Sequence, residues 1–129
     1  MDWVPAPEIK KRIDQLLVHL PFSHIRGDKL VIYRSFGSKG RAIARIWSLP
    51  RVWQMALSVE PHYVIEVISE RFDRLQPADQ DRTLIHELMH IPKTFSGALV
   101  SHRGKHHKIN HRTVEVIYEK FRSQFEILA

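Results

Sequence analysis

The chain has 129 residues, enough for one hydrophobic core, and its 43% hydrophobic and 26% charged residues are typical of a globular protein. It has no cysteine, which excludes disulfide bonds, thiolate nucleophiles and zinc ribbons built from cysteine. The 20 Lys and Arg residues against 14 Asp and Glu give a net charge of +6, so we expect a solvated basic surface that binds nucleic acid weakly at most.

We predict one domain over residues 1–129, located in the cytoplasm. The segment MDWVPAPEIKKR lacks the basic start and apolar stretch of a secretory signal. No apolar run reaches the roughly 18 residues that a membrane-spanning helix needs, so we expect no membrane association. These patterns leave the oligomeric state open.

The first half of the chain predicts one helix followed by two strands. Pro5 and Pro7 predict an extended lead-in. Residues 8–20 place apolar side chains at helical spacing, and Pro21 ends this helix. LVIYRSF and RAIARIWSL are rich in β-branched and aromatic residues and flank the turn GSKG. We therefore predict that these two stretches form a β-hairpin.

A short helix and a further strand follow. Pro50 suits the first position of a helix, which we predict as far as Leu57. HYVIEVI is predicted as a strand because four of its seven residues are Val or Ile. A short turn begins at Ser69. The three tryptophans are expected to anchor the core: Trp3, Trp47 and Trp53.

Two more helices complete the chain. Pro77 opens the first, and Pro92 is expected to end it just past His90. After a loop, an amphipathic helix is predicted over residues 110–128. Strands and helices in this order predict an α+β protein.

The stretch LIHELMHIPKTF predicts a metal site. Residues four apart lie on the same face of a helix, so His86 and His90 are able to direct both imidazoles at one ion. Glu87 lies about 100° further round the helix, where it is able to reach a water molecule without being a ligand itself. Apolar neighbours predict that the helix is buried, and a buried cluster of this kind is costly without a cation. We therefore predict zinc, one ion per chain, bound in an HExxH arrangement.

A catalytic zinc site needs a third protein ligand. His102 is the first candidate downstream, and His106 is the alternative. Glu115 and Glu119 on the last helix are also able to serve, although a solvated face is the simpler interpretation. His107 and His111 are assigned to a basic surface.

The runs PHYVIEVISERFDRL and DRTLIHELMHIPKTFSGALVSHRGK resemble a family of small metallopeptidases from archaea, bacteria and phages, related to the SprT-like zinc peptidases. The resemblance implies a minimal zincin-like fold, in which a small mixed β-sheet packs with an N-terminal helix, the HExxH active-site helix and a C-terminal helix. The edge strand of this sheet lies ahead of the active-site helix. It also implies that His86, His90 and His102 bind zinc and that Glu87 is the catalytic base.

The function predicted from these residues is zinc-dependent hydrolysis of a peptide or protein. HYVIEVI, if it lies at the sheet edge, aligns an extended substrate. Arg103, His106 and Tyr118 are candidates to stabilise the oxyanion. The alternative is a nucleic-acid-associated metal-binding protein or a metal-dependent nuclease without peptidase activity.

Overall fold

The computed structural model describes residues 2–104 and 108–128, with the side chains described as far as residue 124. Five helices surround a four-stranded mixed sheet, which confirms the α+β class with an N-terminal and a C-terminal helix. The strands are β1 (Asp2–Pro5), β2 (Leu30–Phe36), β3 (Ala44–Ser48) and β4 (Tyr63–Ile68). The helices are α1 (Pro7–His19), α2 (Arg51–Leu57), α3 (Ser69–Phe72), α4 (Pro77–Leu88) and α5 (His111–Leu128).

The strand order is β1-β2-β4-β3, so the predicted hairpin between β2 and β3 is wrong. Strand β4 lies between them, parallel to β2 and antiparallel to β3. Five of its six residues are buried, and a strand with this many apolar residues is stabilised most in the interior of a sheet. The connection over residues 37–43 crosses the end of β4, where Ile68 donates its N–H to the Ile43 carbonyl at 2.9 Å.

The interior position of β4 also corrects the expectation that HYVIEVI forms the edge strand. The edge strand on the α4 side is β3. Among the described strands, β3 pairs only with β4. The other edge is β1, which pairs antiparallel with β2 and had been expected to form only an extended lead-in. An edge strand tolerates the proline of this segment, because its missing N–H removes no interior ladder bond.

The core occupies one face of the sheet. Leu30 and Ile32 of β2 lie beside Tyr63 and Ile65 of β4 in register, and all four are buried in the core cluster. The cluster also includes the apolar faces of α1 and α4: Ile9, Ile13, Leu16, Leu84, Ile85 and Leu88. This packing places α4 against the sheet next to β3.

The tryptophans do not anchor this core, because Trp3, Trp47 and Trp53 are 38%, 48% and 55% exposed. Trp47 instead covers the outer face of the sheet. Its Nε1 donates to a carboxylate oxygen of Glu66 at 3.0 Å, and Ser35 Oγ donates to the other at 2.6 Å. Glu66 is fully buried by this cover.

Helix α4 ends at Leu88, two residues earlier than predicted. Met89 keeps right-handed helical angles, and His90 N donates to the Glu87 carbonyl at 3.1 Å in a tighter turn. Helix α5 begins after Asn110, whose side-chain oxygen accepts the N–H of Thr113 at 3.0 Å. None of the described helices is long and apolar enough to cross a membrane.

Candidate metal centre

Three histidines converge at the end of α4. The ring centroids of His86 and His90 are 5.2 Å apart, and the His102 ring lies 5.1 Å from the first and 4.5 Å from the second. Each offers a nitrogen within 4.8 Å of the other two, and the Nε2 atoms of His86 and His102 are 3.1 Å apart. Among the described residues this is the one group of three side chains that could hold a metal ion.

The orientation of His90 is determined by a second contact. Its Nδ1 lies 2.6 Å from the carbonyl oxygen of Val100, while Val100 N donates to the His90 carbonyl at 2.7 Å. A carbonyl oxygen only accepts, so Nδ1 carries a proton, and in the neutral form of the ring Nε2 is the nitrogen with the lone pair. Such a backbone partner is the usual support of a metal-binding histidine.

The loop that carries Val100 is attached to the core at several points. The buried Tyr63 hydroxyl donates to the Ala98 carbonyl at 2.7 Å and accepts the Gly97 N–H at 2.9 Å. Gln54 of α2 donates from Nε2 to the Ser96 carbonyl at 2.9 Å. Burial raises the pKa of Tyr63, so its hydroxyl stays protonated and holds the loop in place.

Burial also controls the charges at this site. It lowers the pKa of His86 to about 4, and the nearby charges of His90, His102 and His111 lower it further. Burial raises the pKa of Glu87 to about 8, and the residue as a whole is 8% exposed. His86 is therefore neutral at pH 7, as a metal ligand must be.

The histidines and Glu87 line an open cleft of about 550 Å³. Residues 44–46 of β3 and residues 99–101 of the loop also line it. A hollow of about 620 Å³ between the ends of α1 and α5 shares no lining residue with this cleft. The edge strand β3 thus borders the three histidines.

The other predicted candidates are distributed as follows. His106 lies outside the described residues. Glu115 and Glu119 do not join the three histidines: the first pairs with Arg82 at 2.8 Å and the second with Arg122 at 2.7 Å. Arg103, next to His102, is exposed.

Three contributors were missed by sequence reasoning. Val100 contributes its backbone carbonyl group. Every residue has such a group, so the residue type does not reveal this role. Tyr63 was read only as part of a strand, although a tyrosine buried in a strand requires a partner for its hydroxyl. His111, assigned to a basic surface, is indeed exposed, but its charge reaches His86.

Comparison with known protein families identifies one match, over residues 1–122, to the family described as "Putative phage metallopeptidase". Comparisons with curated proteins and with solved structures found no match. The matched region includes the three histidines, Glu87 and both walls of the cleft. The chain therefore belongs to this phage metallopeptidase family.

Proposed function

We propose that this protein is a zinc-dependent peptidase of the HExxH type, in which His86, His90 and His102 bind zinc and Glu87 is the general base. The observation that carries the proposal is the convergence of three imidazoles beside a buried carboxyl group in an open cleft. The resemblance to SprT-like zincins supports the same assignment. The core cluster shared by the sheet and the helices supports the further proposal that residues 1–129 form one domain.

The donor set fits zinc. Catalytic zinc is held by three protein ligands in a tetrahedral site with one open position. Two nitrogen ligands of such a site lie about 3.3 Å apart, as follows from zinc–nitrogen distances of about 2.0–2.1 Å. The His86 and His102 Nε2 atoms are already 3.1 Å apart. Because Nδ1 of His90 bonds to the Val100 carbonyl, Nε2 is the ligand atom that this ring would offer to the ion.

Zinc in this position would polarise the scissile carbonyl and lower the pKa of an attacking water molecule. Glu87 takes the proton of that water and later delivers it to the leaving amine. Burial by itself favours the protonated form of Glu87, which suits delivery of the proton to the leaving amine. A cation next to Glu87 offsets its desolvation and favours the ionised base.

The substrate is an extended peptide that aligns along β3. This edge strand borders the cleft, so its outer backbone groups are available for the hydrogen bonds of an added strand. Ala44, Ile46 and Leu99 give the cleft apolar walls, and Leu99 is 41% exposed. We expect a preference for apolar side chains next to the scissile bond.

The first test is metal content by mass spectrometry on the purified protein and on three histidine variants. We expect about one zinc per chain in the wild type, as a three-histidine site predicts. His102→Ala should lose it, whereas His106→Ala should keep it. His62→Ala is the matched control, because that exposed ring bonds to the Glu60 carbonyl instead. Retention of zinc by His102→Ala together with loss in His106→Ala would reassign the third ligand.

The second test separates hydrolysis from metal binding. Glu87→Gln should hold zinc but lose hydrolysis of an unfolded protein and of a fluorogenic peptide library, with kcat reduced by at least about 10²-fold. A metal-binding module without turnover would bind zinc and hydrolyse neither substrate. Unchanged hydrolysis in Glu87→Gln would show that another group is the base.

A further inference from the structure

Helices α4 and α5 pack side by side in opposite directions. Arg82 of α4 donates from Nε to a Glu115 carboxylate oxygen at 2.8 Å and lies 4.2 Å over the ring of Tyr118. One residue earlier in α4, Asp81 lines the same hollow as Phe121, which lies further along α5. The contacts therefore follow the order of antiparallel helices, in which earlier residues of α4 lie beside later residues of α5.

The next pair in this row includes His86, which lines the cleft. Residues four apart occupy the same face of a helix, about 5.4 Å further along its axis. From the Arg82–Glu115 pair, one turn towards the cleft reaches His86 on α4 and His111 on α5. The chain just before α5 agrees, because Ile109, two residues before His111, donates its N–H to the carbonyl oxygen of His102 at 3.1 Å. The packing of the two helices thus places His111 beside the three histidines.

His111 has the properties of a group that contacts substrate. Its side chain is exposed, yet its backbone is held at the first position of α5, directly after the capping residue Asn110. It is not one of the three grouped nitrogen donors. Even a neutral imidazole has one N–H to donate.

Such a donor would assist the reaction. When water adds to the scissile carbonyl, its oxygen gains a negative charge, and a positioned hydrogen bond would stabilise this charge in addition to the metal. Glu87 is occupied with the proton of the water. Arg45, a cation on the opposite wall, is already directed at the buried Glu66, with 4.0 Å between its Nη1 and Oε1.

We propose that His111 is a further catalytic residue, which donates an N–H to the oxygen of the tetrahedral intermediate from the α5 side of the cleft. The proposal rests on the proposed function. His111 forms no covalent bond with the substrate and transfers no proton. Its imidazole donates a hydrogen bond to the charged oxygen, while Glu87 carries out both proton transfers. The proposal also gives the Arg82–Glu115 pair a role, since that pair fixes the position of α5 on α4.

The test compares zinc-loaded wild type with His111→Ala and His111→Gln. We expect His111→Ala to lower kcat by about 10²-fold, the usual effect of losing one oxyanion donor, with KM changed less than about threefold. Zinc content should stay unchanged. His111→Gln should recover part of kcat, because its amide N–H is able to donate. Arg112→Ala, which removes the adjacent exposed cation, is the matched control and should leave kcat unchanged.

Binding of a phosphinic peptide, measured by calorimetry, gives a readout without turnover. Its tetrahedral oxygens resemble the intermediate, so His111→Ala should bind it about 10²-fold more weakly than wild type. Unchanged kcat, equal phosphinic peptide affinity, or loss of zinc in His111→Ala would each overturn the proposal.

The two proposals fail in different ways. Hydrolysis by wild type and by His111→Ala at equal rates contradicts the role of His111 alone. If wild type does not hydrolyse peptides, the phosphinic peptide still decides: weaker binding to His111→Ala supports the role, and equal binding refutes it. Absence of binding to zinc-loaded wild type would remove both proposals.

Discussion

Replacement of Gly97 by alanine should destabilise the protein strongly and weaken zinc binding. Gly97 has φ +94°, a region that alanine rarely adopts. An added Cβ would also overlap the side-chain amide of Gln54 and the Leu49 carbonyl oxygen. Because the Leu49 oxygen belongs to the backbone, this overlap is not relieved by a side-chain rotation alone.

The magnitude follows from these contacts. Strain at a left-handed position costs about 1–3 kcal/mol. Gln54 would have to give up its hydrogen bonds to the carbonyl oxygens of Leu49 and Ser96, at 2.8 and 2.9 Å, and each loss costs about 1 kcal/mol. The total is about 3–5 kcal/mol, a large part of the 5–15 kcal/mol by which domains are usually stable. For a chain of this size, Tm should fall by roughly 12–20 °C.

Urea and thermal unfolding of the metal-free protein measure the stability, and zinc titration measures the second effect. Zinc affinity should fall because the same loop presents the Val100 carbonyl to His90. Gly27→Ala is the matched control: its Cβ would meet Asp14 Oδ1 at 3.4 Å, an ordinary contact, so stability should change by about 0.5 kcal/mol or less. A Gly97→Ala protein within about 1 kcal/mol of wild type would refute the reasoning.

Three further changes have defined outcomes. In the metal-free protein, the pKa of Glu87 is 4.5 in the unfolded chain and about 8 in the folded chain. The free energy of unfolding of wild type therefore decreases as the pH rises between these two values. Glu87→Gln lacks this loss, and its advantage in unfolding free energy should grow to a few kcal/mol by pH 8, at about 1.4 kcal/mol per pKa unit. Trp47→Phe removes a hydrogen bond to the fully buried Glu66 and should cost about 1–3 kcal/mol in urea unfolding. Glu115→Gln breaks a partly exposed pair with Arg82 and should cost less than about 1 kcal/mol, and the cost should decrease further in high salt.

These changes have their own controls. Trp53→Phe alters a tryptophan that is 55% exposed, so the free energy of unfolding should stay within about 0.5 kcal/mol of wild type. Equal effects at Trp47 and Trp53 would contradict the role assigned to the Glu66 hydrogen bond. For Glu87→Gln, an advantage over wild type that is independent of pH would show that burial does not raise the pKa of this carboxyl group.

Much of the helical structure could be predicted from the sequence. The amphipathic spacing of α1 and α5, the proline at the start of α4 and the cap at Asn110 are local signals, each contained within a few residues. The spacing of His86, Glu87 and His90 is local as well, because one helical turn relates them. The predicted α4 nevertheless extended past Leu88, since Met89 continues with helical angles while the hydrogen bonding tightens.

The sheet could not be predicted in the same way. Strand β4 separates β2 from β3, although the sequence between β2 and β3 has the glycines of a hairpin turn. Pairing depends on which strand gains most from burial on both faces, and that is decided by the whole core. The tryptophans were misplaced for a related reason: Trp47 covers Glu66 on the outer face, a contact that exists only once β3 and β4 pair.

The helices, the α+β class and the HELMH pattern could be predicted from the sequence, because these depend on neighbouring residues and on the residue types that bind metal. That β3 borders the cleft and that Val100 orients His90 is known from the folded chain only. Each of these contacts joins residues distant in sequence or uses a backbone group. Their positions follow from how the core packs, which no local pattern encodes.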